Sequence, residues 1–103
     1  MRIIDLHCYP GTPEWIACQG PYVEALAKYW NRQWVGKSED EVLKAFADAG
    51  VEAVLVALDL ETTIATPPVT NEYVHAMWKR HPQRIIQAWG AVEPAKGEGA
   101  IAQ

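Results

Sequence analysis

The chain lacks every feature that would assign it to a specialised class by composition. It has no cluster of lysine or arginine, and its formal charge is −4. Together these argue against a nucleic-acid surface, which needs concentrated cations to neutralise phosphates. Small neutral or metal-assisted substrates suit it better. No apolar run approaches the roughly 20 residues that span a bilayer, and Asp5 and His7 interrupt the N-terminus before a signal-peptide core could form. Two cysteines, Cys8 and Cys18, are too few for a disulfide framework and too widely spaced for a CxxC site. A reducing cytoplasm is therefore the expected compartment, with a single bridge between them left open. There are no repeats, low-complexity stretches or charge runs, and no GxGxxG or P-loop follows any strand. What remains is an ordinary globular composition, 50% hydrophobic and 21% charged over 103 residues, enough for one compact domain.

The most informative segment is Ile3-Ile4-Asp5-Leu6-His7-Cys8-Tyr9. Strand side chains alternate faces, so Asp5, His7 and Tyr9 are expected on one face, where a buried strand emerges at the mouth of a pocket. Cys8 is expected on the other face, buried. Arg2 to His7 reads as the first strand. The connection from Cys8 to Gly36 carries a turn cluster, Pro10-Gly11-Thr12-Pro13, and a short helix from Pro21 to Trp30 with Pro21 at its first position. It also concentrates Trp15, Tyr22, Tyr29, Trp30 and Trp34. Connections this long inside compact domains are usually functional.

Ser38-Glu39-Asp40-Glu41 is a capping box, and a helix with an apolar stripe of Val42, Leu43, Ala45, Phe46 and Ala49 follows it. Gly50 supplies the left-handed residue that ends that helix. Val51 to Leu58 is apolar except for Glu52, the pattern of a parallel strand buried on both faces. Asp59 to Val69 reads as a loop, and Thr70 or Asn71 caps a second helix to Arg80 whose buried stripe is Tyr73, Val74, Met77 and Trp78. Pro82 stops it. Arg84 to Val92 reads as a third strand, and Gly97 to Gln103 as the opening of another helix.

Strand and helix therefore alternate, the pattern of an α/β fold with parallel strands. Three strands cannot close a barrel, which typically takes about 250 residues. A chain ending partway into an uncapped amphipathic segment reads as truncated. The expectation is a single partial β/α domain over residues 1–103, with residues 8–36 as an aromatic-rich insertion.

These residues resemble the amidohydrolase-related family of metal-dependent TIM-barrel enzymes. The resemblance is carried by Ile4-Asp5-Leu6-His7, by Asp48-Ala49-Gly50-Val51-Glu52-Ala53-Val54-Leu55 and by Asn71-Glu72-Tyr73-Val74. Lys79-Arg80-His81-Pro82-Gln83-Arg84-Ile85-Ile86 and Ala91-Val92-Glu93-Pro94 extend it. It implies the first three strands of a (β/α)8 barrel and a divalent metal, often zinc, at the barrel mouth. It further implies a hydrolase or decarboxylase (carboxy-lyase) acting on a small organic molecule, with this portion inactive by itself. Such a metal lowers the pKa of bound water or polarises a substrate oxygen.

Family members usually begin Ile-Asp-x-His-x-His, with both histidines as ligands. Here Tyr9 stands at the second histidine position, and a phenol is a poor zinc ligand beside imidazole. The resemblance then leaves His7 as a ligand alone, with Tyr9 donating a hydrogen bond to substrate, or His7 and Asp5 as a ligand pair, and Asp5 reads first as a group that orients the ligand. Tyr9 reads as a pocket-lining aromatic, and loss of the metal is the third alternative.

Without the resemblance, His7 reads equally as a satisfied polar residue at a strand end. Asp59 and Glu93 each follow a strand, where barrel enzymes place functional groups and where turn or capping acids also sit. Trp15, Tyr22, Trp30 and Trp34 line a substrate pocket or form a satellite core. The competing class is a small non-catalytic α/β domain that binds a ligand or partner, with a homo-oligomer as one way to cover its sheet edges.

Overall fold

The computed structural model describes residues 1–103 and is α/β. Three parallel strands, β1 (Ile3–Cys8), β2 (Val51–Val56) and β3 (Ile85–Trp89), lie in the order β1-β2-β3. Five α-helices connect them: α1 (Pro13–Gln19), α2 (Pro21–Tyr29), α3 (Glu39–Asp48), α4 (Glu61–Ile64) and α5 (Asn71–Arg80). A 3-10 segment, Pro94–Ala102, ends the chain and kinks at Gly97. No helix is long and apolar enough to cross a membrane.

The sheet has one covered face. Ala53, Leu55 and Ala57, at alternate positions of β2 and its extension, join Cys8, Trp15, Cys18, Val42, Val69, Val74, Met77 and Ile85 in a single core cluster. Residues of α1, α3 and α5 thus all pack on the same side. The opposite face carries Ile4 and Leu6 of β1 and Trp89 of β3, all exposed. Pairing places Ile4 beside Glu52, and Trp89 beside Val56, on that uncovered side.

Local signals are met where the chemistry is local. The Glu41 N–H donates to Ser38 Oγ at 3.3 Å, and the Ser38 N–H donates back to Glu41 Oε2 at 2.8 Å, completing the capping box. Gly50 follows α3 with φ +67°. Of the two candidate caps for α5, Thr70 is the one used: its Oγ1 accepts the Tyr73 N–H at 3.1 Å. Val74 and Met77 are buried, with Tyr73 and Trp78 packed against the core. On α3 only Val42 is buried, while Leu43 and Phe46 are partly covered.

Four expectations are corrected. Strand β1 is not a buried strand but an edge strand, with only Cys8 buried, because nothing pairs beyond it or covers its far face. The turn cluster at Pro10–Pro13 opens α1, with Pro13 in its first turn, so the 8–36 connection holds two helices rather than one. Strand β2 stops at Val56, and Leu58 instead exchanges hydrogen bonds with Val69 in an isolated antiparallel bridge (3.0 and 2.8 Å), closing the 59–69 connection around α4. Strand β3 ends at Trp89, short of Val92, and the tail that follows is 3-10 rather than α-helix. Gly97 at φ +58° lies outside any right-handed helix.

Candidate functional site

The strand ends carry the residues singled out in the sequence, and the backbone there departs from simple alternation. Asp5 pairs with Ala53 and Cys8 pairs with Leu55, so three residues of β1 span two of β2. This bulge returns Asp5 and Cys8 to the same face and breaks the simple alternation between Asp5 and His7. The Asp5 Oδ1 accepts the His7 backbone N–H at 2.9 Å, a local turn that favours the bulge. His7 is exposed, and its ring meets the edge of Tyr9 at 5.0 Å and 75°. Tyr9 then stacks on Trp15 at 4.1 Å and 15°.

The metal expectation can be tested on this donor set. A catalytic zinc takes three protein ligands plus water, and no three His, Cys, Asp or Glu side chains converge here. His7 offers one imidazole, and Asp5 has one oxygen engaged by the backbone. These residues do not, by themselves, fit a catalytic zinc.

Asp59 and Glu93, after β2 and β3, are buried (8% and 5% exposed) and brought together around α4. The Asp59 Oδ1 accepts the Glu61 N–H at 3.0 Å. Its Oδ2 receives Lys96 Nζ at 2.5 Å and the Gln103 side-chain amide. Glu93 accepts the Thr62 N–H at 2.9 Å, and its Oε1 takes both the N–H (3.1 Å) and hydroxyl (2.9 Å) of Thr63. Both acids therefore satisfy the orphan amides of a helix start. Burial pushes each carboxyl up, but these hydrogen bonds outweigh it and hold both below their ordinary values. Lys96, hydrogen-bonded to Asp59 and to Glu61 (2.8 Å), is raised above the ordinary lysine range. With all four oxygens engaged, neither acid is presented as a free base or ligand.

The aromatic set divides. Trp15 is in the core, while Trp30 and Tyr22 are exposed. Trp34 packs on Trp30 at 5.7 Å and lines a cavity of about 290 Å³ with Tyr9, Trp15 and Phe46. Sequence reasoning missed two contributors to that cavity, Arg32 and Lys37. The signal was present: residues 25–37 hold three cations and no acid within a chain of negative net charge. Cys8 and Cys18 are both free and buried, so the bridge left open is not formed. Burial, followed by the hydrogen bond involving Asp5, pushes the Cys8 thiol up to about 12.

Comparisons with known protein families, with curated proteins and with solved structures find no match to this chain.

Proposed function

We propose that the chain forms the first three β/α units of a (β/α)8 barrel enzyme of the amidohydrolase-related kind, a hydrolase or carboxy-lyase for a small organic substrate. The observation that carries this reading is the one-sided sheet. Consecutive parallel strands with α1, α3 and α5 packed on one side are what successive right-handed β/α crossovers would give. The opposite face, with Ile4, Leu6, Val54, Val56 and Trp89, has the character of a barrel interior, which is filled by side chains. His7, Asp59 and Glu93 follow one another at or just beyond the C-terminal ends of β1, β2 and β3, the end at which barrel enzymes keep their chemistry.

In this reading His7 contributes one metal ligand, and the remaining ligands come from strands outside residues 1–103. Asp59 and Glu93 hold the β2 and β3 loops in place. The two free cysteines suit a reducing cytoplasm. Residues 1–103 by themselves are expected to be inactive.

The test is metal analysis and turnover of a protein that carries this segment within its complete reading frame. Stoichiometric divalent metal, lost in His7→Ala together with activity, is the expected result. A folded parent without metal would sink the assignment. The second reading, a non-catalytic α/β binding domain, is favoured by the aromatic cavity, and a stable oligomer of residues 1–103 that binds a ligand without turnover would support it.

A further inference from the structure

The cavity beside α3 combines an apolar body with a one-signed rim. Tyr9, Trp15, Trp34 and Phe46 give it aromatic walls, and Val42 adds an aliphatic one. The Arg32 guanidinium lies 5.8 Å from the centre of the Trp34 ring, and Lys37 lies on the same lining. Neither cation forms a direct ion pair, since every one in the chain involves other basic residues, although Lys37 lies near enough to Glu41 to help stabilise its carboxylate. Of the acids closest along the chain, Asp40 forms no ion pair, and three others are engaged elsewhere. Glu41 binds Ser38, Glu39 binds Arg80 and His81, and Glu14 accepts from Tyr73.

The walls are held in place rather than loosely draped. The Lys37 N–H donates to the Gly11 carbonyl at 3.0 Å, tying the 31–37 segment to the turn before α1. At Gly36 a Cβ would lie 2.6 Å from the backbone N and Cα of Pro13, so only glycine permits this approach. On the other side, Trp15 is buried and fixed by its stack with Tyr9.

We propose that this cavity is a binding site for a small planar carboxylate about one aromatic ring in size. The ring lies among Trp15, Trp34 and Phe46, and the carboxylate is received by Arg32 and Lys37. The volume is at the lower end for ligand pockets, which suits a single ring. An Arg side chain suits a carboxylate because its planar fork matches both oxygens. The turn after β1, α1, the 32–37 segment and α3 build this site, so the inference stands whether or not the chain belongs to a barrel.

Titration of residues 1–103 with benzoate and with neutral benzamide, by calorimetry and tryptophan fluorescence, tests the proposal. Benzoate is expected to bind at one site, on the order of ten times more tightly than benzamide, as loss of one charge-assisted contact implies. Its affinity should fall as salt rises. Arg32→Gln and Lys37→Gln should each weaken benzoate several-fold while leaving benzamide nearly unchanged, and Trp34→Ala should weaken both. Equal affinity for the two ligands, or no benzoate binding, overturns the proposal even if every variant misfolds. So does unchanged benzoate affinity in a natively folded Arg32→Gln/Lys37→Gln double variant.

Discussion

Asn71 clamps the backbone of Ala91 from both sides. Its Oδ1 accepts the Ala91 N–H at 2.7 Å, and its Nδ2 donates to the Ala91 carbonyl at 3.1 Å. The first residue of α5 is thereby locked to the chain leaving β3, and Gly90 allows the approach, since a Cβ there would lie 3.1 Å from Oδ1. Asn71→Ala strands both backbone groups in a partly buried setting. A loss of about 1–3 kcal/mol is expected in urea unfolding, with Asn71→Asp recovering only the bond from the Ala91 N–H.

Ser38→Ala removes the hydroxyl that accepts the Glu41 N–H and frees the Glu41 carboxylate from its return contact. The expected cost is about 1 kcal/mol, measured as a lower urea midpoint. Ser38→Asp should retain most of the stability, because it keeps an acceptor and suits the helix dipole.

Acid should destabilise the protein through Asp59 and Glu93. Both titrate below their ordinary values of 3.8 and 4.5. The unfolded chain therefore binds protons more readily, and their contribution is complete above those values and lost as pH falls through the lower folded ones. Glu39, held down first by its hydrogen bond from Arg80, adds to the same trend. Urea midpoints should be level from neutral pH to about 4.5 and then fall. In Asp59→Asn and Glu93→Gln the starting midpoint should be lower and the acid slope shallower.

Thiol chemistry should report burial. With Cys8 raised to about 12 and Cys18 also raised by burial, both are held as neutral, inaccessible thiols. Ellman's reagent at pH 8 should label neither in the folded protein and both in denaturant. Rapid labelling of the native protein would show that α1 opens from the sheet.

Gly36→Ala should displace the Arg32–Val35 wall, because the new methyl would meet the backbone of Pro13. Trp34 fluorescence is expected to shift toward the solvent-exposed value, with far-UV circular dichroism little changed. An unaltered emission spectrum would mean that the 31–37 segment yields without moving the tryptophan.

Interactions spanning a few residues were legible in the linear chain. The Ser38–Glu41 box, the left-handed Gly50, the Thr70 cap and the Val74–Met77 stripe each follow from groups within one or two helical turns. The continuous apolar run of β2 identified the central strand of the sheet, but not burial on both faces, since helices cover only one face and Glu52 and Val56 are partly exposed. The short α4 was hidden, since its helical start depends on contacts from elsewhere: Glu93, which lies beyond the next strand, accepts the Thr62 and Thr63 N–H groups.

The chain's own order of residues determined a parallel α/β sheet, its two main helices and the aromatic character of the 8–36 connection, all consequences of periodicity and local hydrogen bonding. Only the tertiary structure decided the fate of the chemical groups. The bulge ties the Asp5 carboxylate to the His7 backbone, the donors around α4 turn Asp59 and Glu93 into helix caps, and the folded connection brings Arg32 and Lys37 to the aromatic cavity. The reason is physical: whether a charged side chain is free or spent depends on the donors that surround it, and those donors come from distant parts of the chain.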